Sequence, residues 1–281
     1  MGMRDAQAVW LGDKLYVGGG WTSGSRRDDA RLYIYTPTTY TWSHINTPVY
    51  YFALITYHSQ LVLVGGAEYV GERRDGPVTN KLWTLAEHDQ WRETLPPMIT
   101  KRHSASAVEF ADNILVAGGS IDIVEVYNGR HWTKAQCLRK HCRDMKSTVV
   151  NGHWYLMGGG KQGKEVYYAS LDSLVASCQP SEKPLPSVWK RLPDIPHERS
   201  STAVFGNRLI AVGGGYRSSS SSIHAYSPHT QSWVHVGGIP DGFHSTCTAV
   251  LPTGELMVIG GQGDTSPRQS CVHKASLIGN S

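Results

Sequence analysis

Hydrophobic and polar positions along this chain fall into one pattern that returns six times. The shortest complete copy is Asp112 to Trp132, DNILVAGGSIDIVEVYNGRHW. A turn pair, Asp112-Asn113, precedes the apolar run Ile114 to Ala117. The run ends in Gly118-Gly119. A polar loop follows, then an alternating segment with Ile123, Glu125, Val126 and Tyr127, a second turn at Asn128-Gly129, and Trp132. An apolar run closed by a glycine doublet recurs at Gly18-Gly19, Gly65-Gly66, Gly118-Gly119, Gly158-Gly159, Gly213-Gly214 and Gly260-Gly261, with spacings of 47, 53, 40, 55 and 47 residues. Periods of this length belong to propellers and similar arrays.

The runs before the doublets, such as Leu61 to Val64 and Leu209 to Val212, do not alternate. A continuous apolar run this short predicts a strand buried on both faces. Upstream, across a turn pair such as Asn151-Gly152 or Gly206-Asn207, lies another apolar or Ser/Thr/Ala-rich segment, as in Ala6 to Trp10, Ser104 to Phe110 and Ser200 to Phe205. Two strands across so short a turn form a hairpin. A third strand follows the doublet, as in Leu32 to Tyr35 and Ile223 to Tyr226. A Trp then opens a fourth at Trp42, Trp91, Trp132 and Trp233, and at Trp189 after a Ser/Pro-rich loop from Leu171 to Val188. Four antiparallel strands per unit, each sheet buried on both faces, predict radial stacking.

The succession of hydrophobic strand, Gly-Gly, Tyr and Trp resembles the kelch repeat, over essentially the whole chain. The resemblance implies an all-β, six-bladed kelch-type β-propeller with four-stranded antiparallel blades. It is expected as a single domain over 1–281, with blades near 4–48, 49–98, 102–140, 143–196, 199–240 and 243–281. The sixth unit runs through Cys271 to Leu277 with no Trp segment after it. The last blade is therefore expected to lack its outer strand, for 23 strands in all, and the chain to be a fragment or shortened gene model with a Trp-x-x-Leu-Pro strand upstream.

Composition narrows the chemistry. A net charge of +4 over 281 residues, without a Lys/Arg block or basic helix, argues against nucleic acid. No apolar stretch approaches the roughly 20 residues of a membrane span, and Met1 to Trp10 has no signal-peptide core. Five cysteines, odd in number and absent from the repeat, read as reduced thiols in a cytoplasmic protein.

In a four-stranded meander the loops after the second strand share a rim with the connections between blades, and these longer, more varied segments are the better place for binding. The connections bring Arg4, Tyr50, Tyr51, Arg102, His103, Arg143, Arg199, Phe243 and His244 to that rim, and a loop adds Tyr216 and Arg217. Four arginines at equivalent connections (Arg4, Arg102, Arg143, Arg199) suit carboxylate or phosphate partners; they could instead pair with acids such as Asp5, Asp144 and Glu198. The run Ser218 to Ser222 reads as a flexible loop. No metal, cofactor or catalytic residue is assigned: His131, Cys137, His141 and Cys142 lack a zinc spacing, and the glycine triplets are not followed by a helix or Lys-Ser/Thr.

The resemblance implies a non-catalytic protein-interaction module that binds a protein or peptide, acidic or phosphorylated, across an Arg/Tyr/Ser rim. Roles such as substrate selection for a cullin ubiquitin ligase or scaffolding on actin go with it. The alternative is a small-molecule enzyme of the kelch-like mutarotase or oxidase type. The Glu-x3-Asp-x3-His iron motif of plant specifier proteins of this fold is absent.

Overall fold

The structure is a computed structural model that describes residues 3–22, 30–70, 76–119, 121–136, 138, 144–159, 163–178, 187–215, 218–263 and 272–275. It divides into two compact units, one of residues 6–143 and 174–186, the other of residues 1–5, 144–173 and 187–281.

The first unit holds three four-stranded antiparallel sheets. Their strands, in chain order, are Gln7–Leu11, Lys14–Gly18, Arg31–Thr36 and Thr41–Asn46; then Ala53–Tyr57, Gln60–Val64, Leu82–Leu85 and Trp91–Leu95; then Ala105–Phe110, Asn113–Gly118, Val124–Tyr127 and Trp132–Ala135. The second unit holds two more four-stranded sheets, Lys146–Val150, His153–Met157, Val166–Ser170 and Lys190–Leu192, and Ser201–Phe205, Arg208–Val212, Ser222–Ser227 and Ser232–Gly238. Its last sheet has three strands, Cys247–Val250, Leu256–Ile259 and Val272–Ala275. Among the described residues the four-stranded blades thus number five rather than six, and the last sheet, expected to lack its outer strand, has three. Residues 276–281 lie outside the described set.

The second strand of each sheet is the buried one. Leu61, Val62, Leu63 and Val64 are all at most 1% exposed, because one side chain in two serves each of two cores. Ala53, Ile55, Val62 and Val64 pack towards the third sheet with Ile114, Val116 and Trp132. Leu54, Leu61, Leu63 and Trp83 pack with Leu32 and Ile45 of the first. A strand that is apolar at every position answers this two-sided burial, at roughly 25 cal/mol for each Å² removed from water.

Three local expectations are corrected. The third-sheet hairpin turns at Ala111-Asp112 (φ 46° and 62°), with Phe110 opposite Asn113, one residue earlier than the pattern suggests; two left-handed residues are what a two-residue hairpin loop needs to match strand twist. In the first sheet Gly18 stands opposite Gln7, the place that Met157 takes opposite Lys146 and Val212 opposite Ser201. The structural doublet there is Gly19-Gly20, displaced by one from Gly18-Gly19. The insertion in the fourth unit begins with a short helix, Leu171–Ala176, rather than loop, and both its leucines are fully buried.

Candidate functional site

Every sheet is entered through a residue in the left-handed region, and none of the six is glycine. Asp5, Tyr51, Ser104, Asp144, Arg199 and Ser245 have φ of 59°, 55°, 52°, 57°, 58° and 58°. Each lies one or two residues before its sheet's first strand. The conformation costs about 1–2 kcal/mol per residue. Main-chain hydrogen bonds between successive entries offset it: Ser104 N donates to Tyr51 O at 2.7 Å, Ser245 N to Arg199 O at 2.9 Å, and Asp5 N to Ser245 O at 2.8 Å. The doublet glycines close on the same connections. A Cβ on Gly65 would run into the Arg102 carbonyl, and Gly66 N donates to that oxygen at 2.8 Å.

In the unit of residues 6–143 this geometry gathers Tyr50, Tyr51 and His103. Tyr50 meets Tyr51 edge-on at 5.0 Å and Tyr69 at 5.1 Å, and Tyr51 lies 5.9 Å from the His103 ring. Tyr69 is brought in by a two-stranded ribbon in which Ala67 faces Tyr50 and Glu68 faces Val49. Tyr50 is buried, Tyr51, Tyr69 and His103 are half-buried, and Val70 beside them is 56% exposed. Edge-to-face rings at these separations add about 0.5–1.5 kcal/mol per pair to their burial, so the cluster is rigid. Tyr69 is not among the rim residues read from the sequence; its place beside Tyr50 follows from cross-strand register.

Arg102 is not on a rim. It is 1% exposed, and its guanidinium donates to Gly118 O at 3.2 Å, Ile123 O at 3.0 Å and Glu125 Oε1 at 2.5 Å. Glu125, fully buried, also accepts from the backbone N–H groups of Ile99 (2.7 Å) and Thr100 (3.1 Å). Burial pulls the Arg102 guanidinium below its ordinary value, and Glu125 opposes that shift. The ring of equivalent arginines fails for a geometric reason. Arg199 is itself the left-handed residue, Arg4 is one before it, and Arg102 is two before it, where the side chain turns into the sheet. Arg143 lies outside the described residues, as do Tyr216 and Arg217.

In the other unit Arg4, Arg199, Phe243 and His244 share one set of connections. Arg4 Nη1 donates to Gln262 Oε1 at 3.2 Å, and His244 and Gln262 exchange backbone hydrogen bonds at 3.0 Å. Arg4 and Arg199 are half-buried, whereas Phe243 and His244 are buried. Phe243 belongs to the core between the fifth and sixth sheets, so it packs rather than presents a surface. Ser218 to Ser222 is pinned rather than loose: Ser220 N donates to Gly214 O at 2.7 Å, and Ile239 N donates to Ser221 O at 2.8 Å.

A row of three imidazoles crosses the fifth sheet. His197 lies 5.8 Å from His224, which stands opposite His235 at 5.5 Å. Burial is the largest cause that lowers His197 and His224 below the usual imidazole value; Lys164 adds to it at His197, against Glu198, and the flanking histidines add to it at His224. Among the described residues His58, Glu109 and Asp112 bring possible ligand atoms within 4.8 Å of one another, at exposed and half-buried hairpin positions. Most of the His131/Cys137/His141/Cys142 set lies outside the described residues. Among those residues, no helix is long and apolar enough to cross a membrane.

The kelch motif family model matches residues 198–238. Kelch-like protein 23 of Pongo abelii and of Homo sapiens are each 24% identical to the chain over 256 residues, covering 84% of this chain and 42% of theirs. The chain therefore spans less than half the length of the curated relatives it matches. A solved structure titled "Structure of YjhT" has the same fold, with a TM-score of 0.73 at 12% identity, covering 99% of this chain and 95% of that one. The motif match, the relatives and the repeated four-stranded sheets together support a kelch-repeat β-propeller protein.

Proposed function

We propose that the chain is a non-catalytic protein-interaction module whose main contact surface is the Tyr51, Tyr69 and His103 cluster. The observation that carries this reading is the edge-on packing of Tyr51 and Tyr69 on Tyr50, with the His103 ring tilted against Tyr51. Aromatic side chains held in one geometry present large area at small entropic cost and are the usual anchors of protein interfaces. Because Arg102 is spent on Glu125, charge is secondary at this surface, and the partner is recognised first by apolar and hydrogen-bonding groups. Half-buried Arg4 and Arg199 would favour an acidic or phosphorylated segment. In this reading the module is cytoplasmic and its partner is a protein or peptide, neither nucleic acid nor membrane.

The test is affinity purification with the full chain and with Tyr51→Ala, Tyr69→Ala and His103→Ala, against Tyr40→Ala as a control, since Tyr40 is 73% exposed and belongs to a different turn. The rim variants should lose most of the partners that the control keeps. An unchanged partner set would sink the reading.

A further inference from the structure

The first hairpin turns of the second and third sheets meet side by side. His58 and Ser59, with φ of 46° and 58°, form one turn, and Ala111 and Asp112 form the other. Tyr57 ties the two together. Its ring stacks on the His58 imidazole, with centroids 4.1 Å apart and planes at 16°, and its hydroxyl donates to Asp112 O at 3.1 Å. Ala105, Ala107 and Glu109 share one face of their strand, because side chains alternate along it. The two alanines pack into the core between these sheets, and Glu109 carries that face out to the turns.

The result is one imidazole and two carboxylates whose possible ligand atoms all lie within 4.8 Å of one another. His58 Nε2 is 3.2 Å from Asp112 Oδ1, and neither carboxylate is paired with Lys or Arg among the described residues. Burial, then Tyr127, then the carboxylates of Asp112 and Glu109 hold the Tyr57 phenol above its ordinary value, so the negative charge of the pair is felt at the ring that supports His58. Carboxylates alone would suit calcium or magnesium; the imidazole moves the preference to a transition metal.

We infer that His58, Glu109 and Asp112 form a binding site for a divalent zinc ion that links the second sheet to the third. Zinc takes nitrogen and oxygen donors at about 2.0–2.2 Å, which in a tetrahedral arrangement sets them roughly 3.4 Å apart. Side-chain rotation closes the remaining distance, since His58 and Asp112 are exposed and Glu109 is half-buried. The Tyr57 stack and its bond to Asp112 O hold the two turns in place while the side chains move. A ligand held by the folded chain alone stabilises it. The site shares no residue with the Tyr51 surface and does not depend on that reading.

The experiment is calorimetric titration of zinc chloride into the full chain, stripped of metal by a chelator and alkylated at its accessible cysteines. The titration should show a site for one ion that His58→Asn, Glu109→Gln and Asp112→Asn each weaken about tenfold or more. His58→Asn keeps a residue that tolerates the left-handed turn, and circular dichroism verifies that all three variants fold. His229→Gln, at an exposed histidine in a turn of the fifth sheet, should leave the site unchanged. Zinc should raise the thermal midpoint of the unmodified chain more than that of the three variants. Absence of binding, binding that the three variants leave intact, a loss confined to one of them, or an equal loss in His229→Gln would each overturn the assignment.

Discussion

Arg102 and Glu125 form an ion pair with both side chains fully out of water, and His197 and His224 hold the same two positions in the fifth sheet. The equivalence follows from register. Glu125 stands opposite Val116 and His224 opposite Ala211, each two residues before its glycine doublet; Arg102 and His197 each lie two residues before a left-handed entry residue. One slot of the repeat is thus filled by a charge pair in one sheet and by two imidazoles in another.

Removing one member of the ion pair leaves a buried charge without its partner. Glu125→Ala should destabilise the chain by about 3–5 kcal/mol, whereas Arg102→Met with Glu125→Leu should be near neutral or stabilising. Urea unfolding of the two singles and the double would show this as strong coupling. Additive losses would contradict it.

The imidazoles make stability depend on pH. His197 and His224 are held below their ordinary value, so the unfolded chain binds more protons than the folded one as pH falls through the usual imidazole range. Their stabilising contribution is complete above the unfolded value of about 6.5 and is lost below it. Thermal melts from pH 7.5 to 5.5 should therefore show a smaller decline for His224→Gln than for the unmodified chain; parallel declines would refute the assignment.

Trp132 combines burial with a directed bond. Trp132→Ala should cost about 3–5 kcal/mol, and Trp132→Phe, which keeps most of the apolar area but leaves Pro96 O without its donor, about 1 kcal/mol. A Phe form as stable as the unmodified chain in denaturant melts would mean that the hydrogen bond contributes nothing.

Ser104 tests the left-handed entries. Ser104→Val places a β-branched side chain at φ 52° and should cost about 1–2 kcal/mol, while Ser104→Gly should be neutral or slightly stabilising. Chemical denaturation would order the three forms Gly, Ser, Val, and a Val form as stable as Ser would remove strain from the account.

The Cys247 thiol is buried, and burial pushes its pKa up to about 11. It should resist alkylation at pH 8 in the folded chain, because almost none of it is thiolate. Peptide mass spectrometry after iodoacetamide treatment reads this directly; modification at the rate of a denatured control would count against it.

The sheets were legible in the sequence because the apolar runs, doublets and tryptophans are side-chain features with a fixed period. The entry residues were not. Asp5, Tyr51, Ser104, Asp144, Arg199 and Ser245 share a backbone conformation and no side-chain type, so pattern reading could not align them. The missing alignment made Arg102 and Arg199 look equivalent although they stand two residues apart in register. Tyr69 was invisible for a related reason, since a two-residue ribbon leaves no periodicity to read. The helix at Leu171 was masked by the Ser/Pro-rich composition that follows it.

The hydrogen bonds between successive entries, such as Ser104 N to Tyr51 O, are made entirely by main-chain atoms. No substitution except proline deletes such a donor, so these junctions hold their shape whatever side chain they carry. At the five entries that these bonds join, Asp5, Tyr51, Ser104, Arg199 and Ser245, the repeat can therefore change side-chain type while the scaffold stays the same.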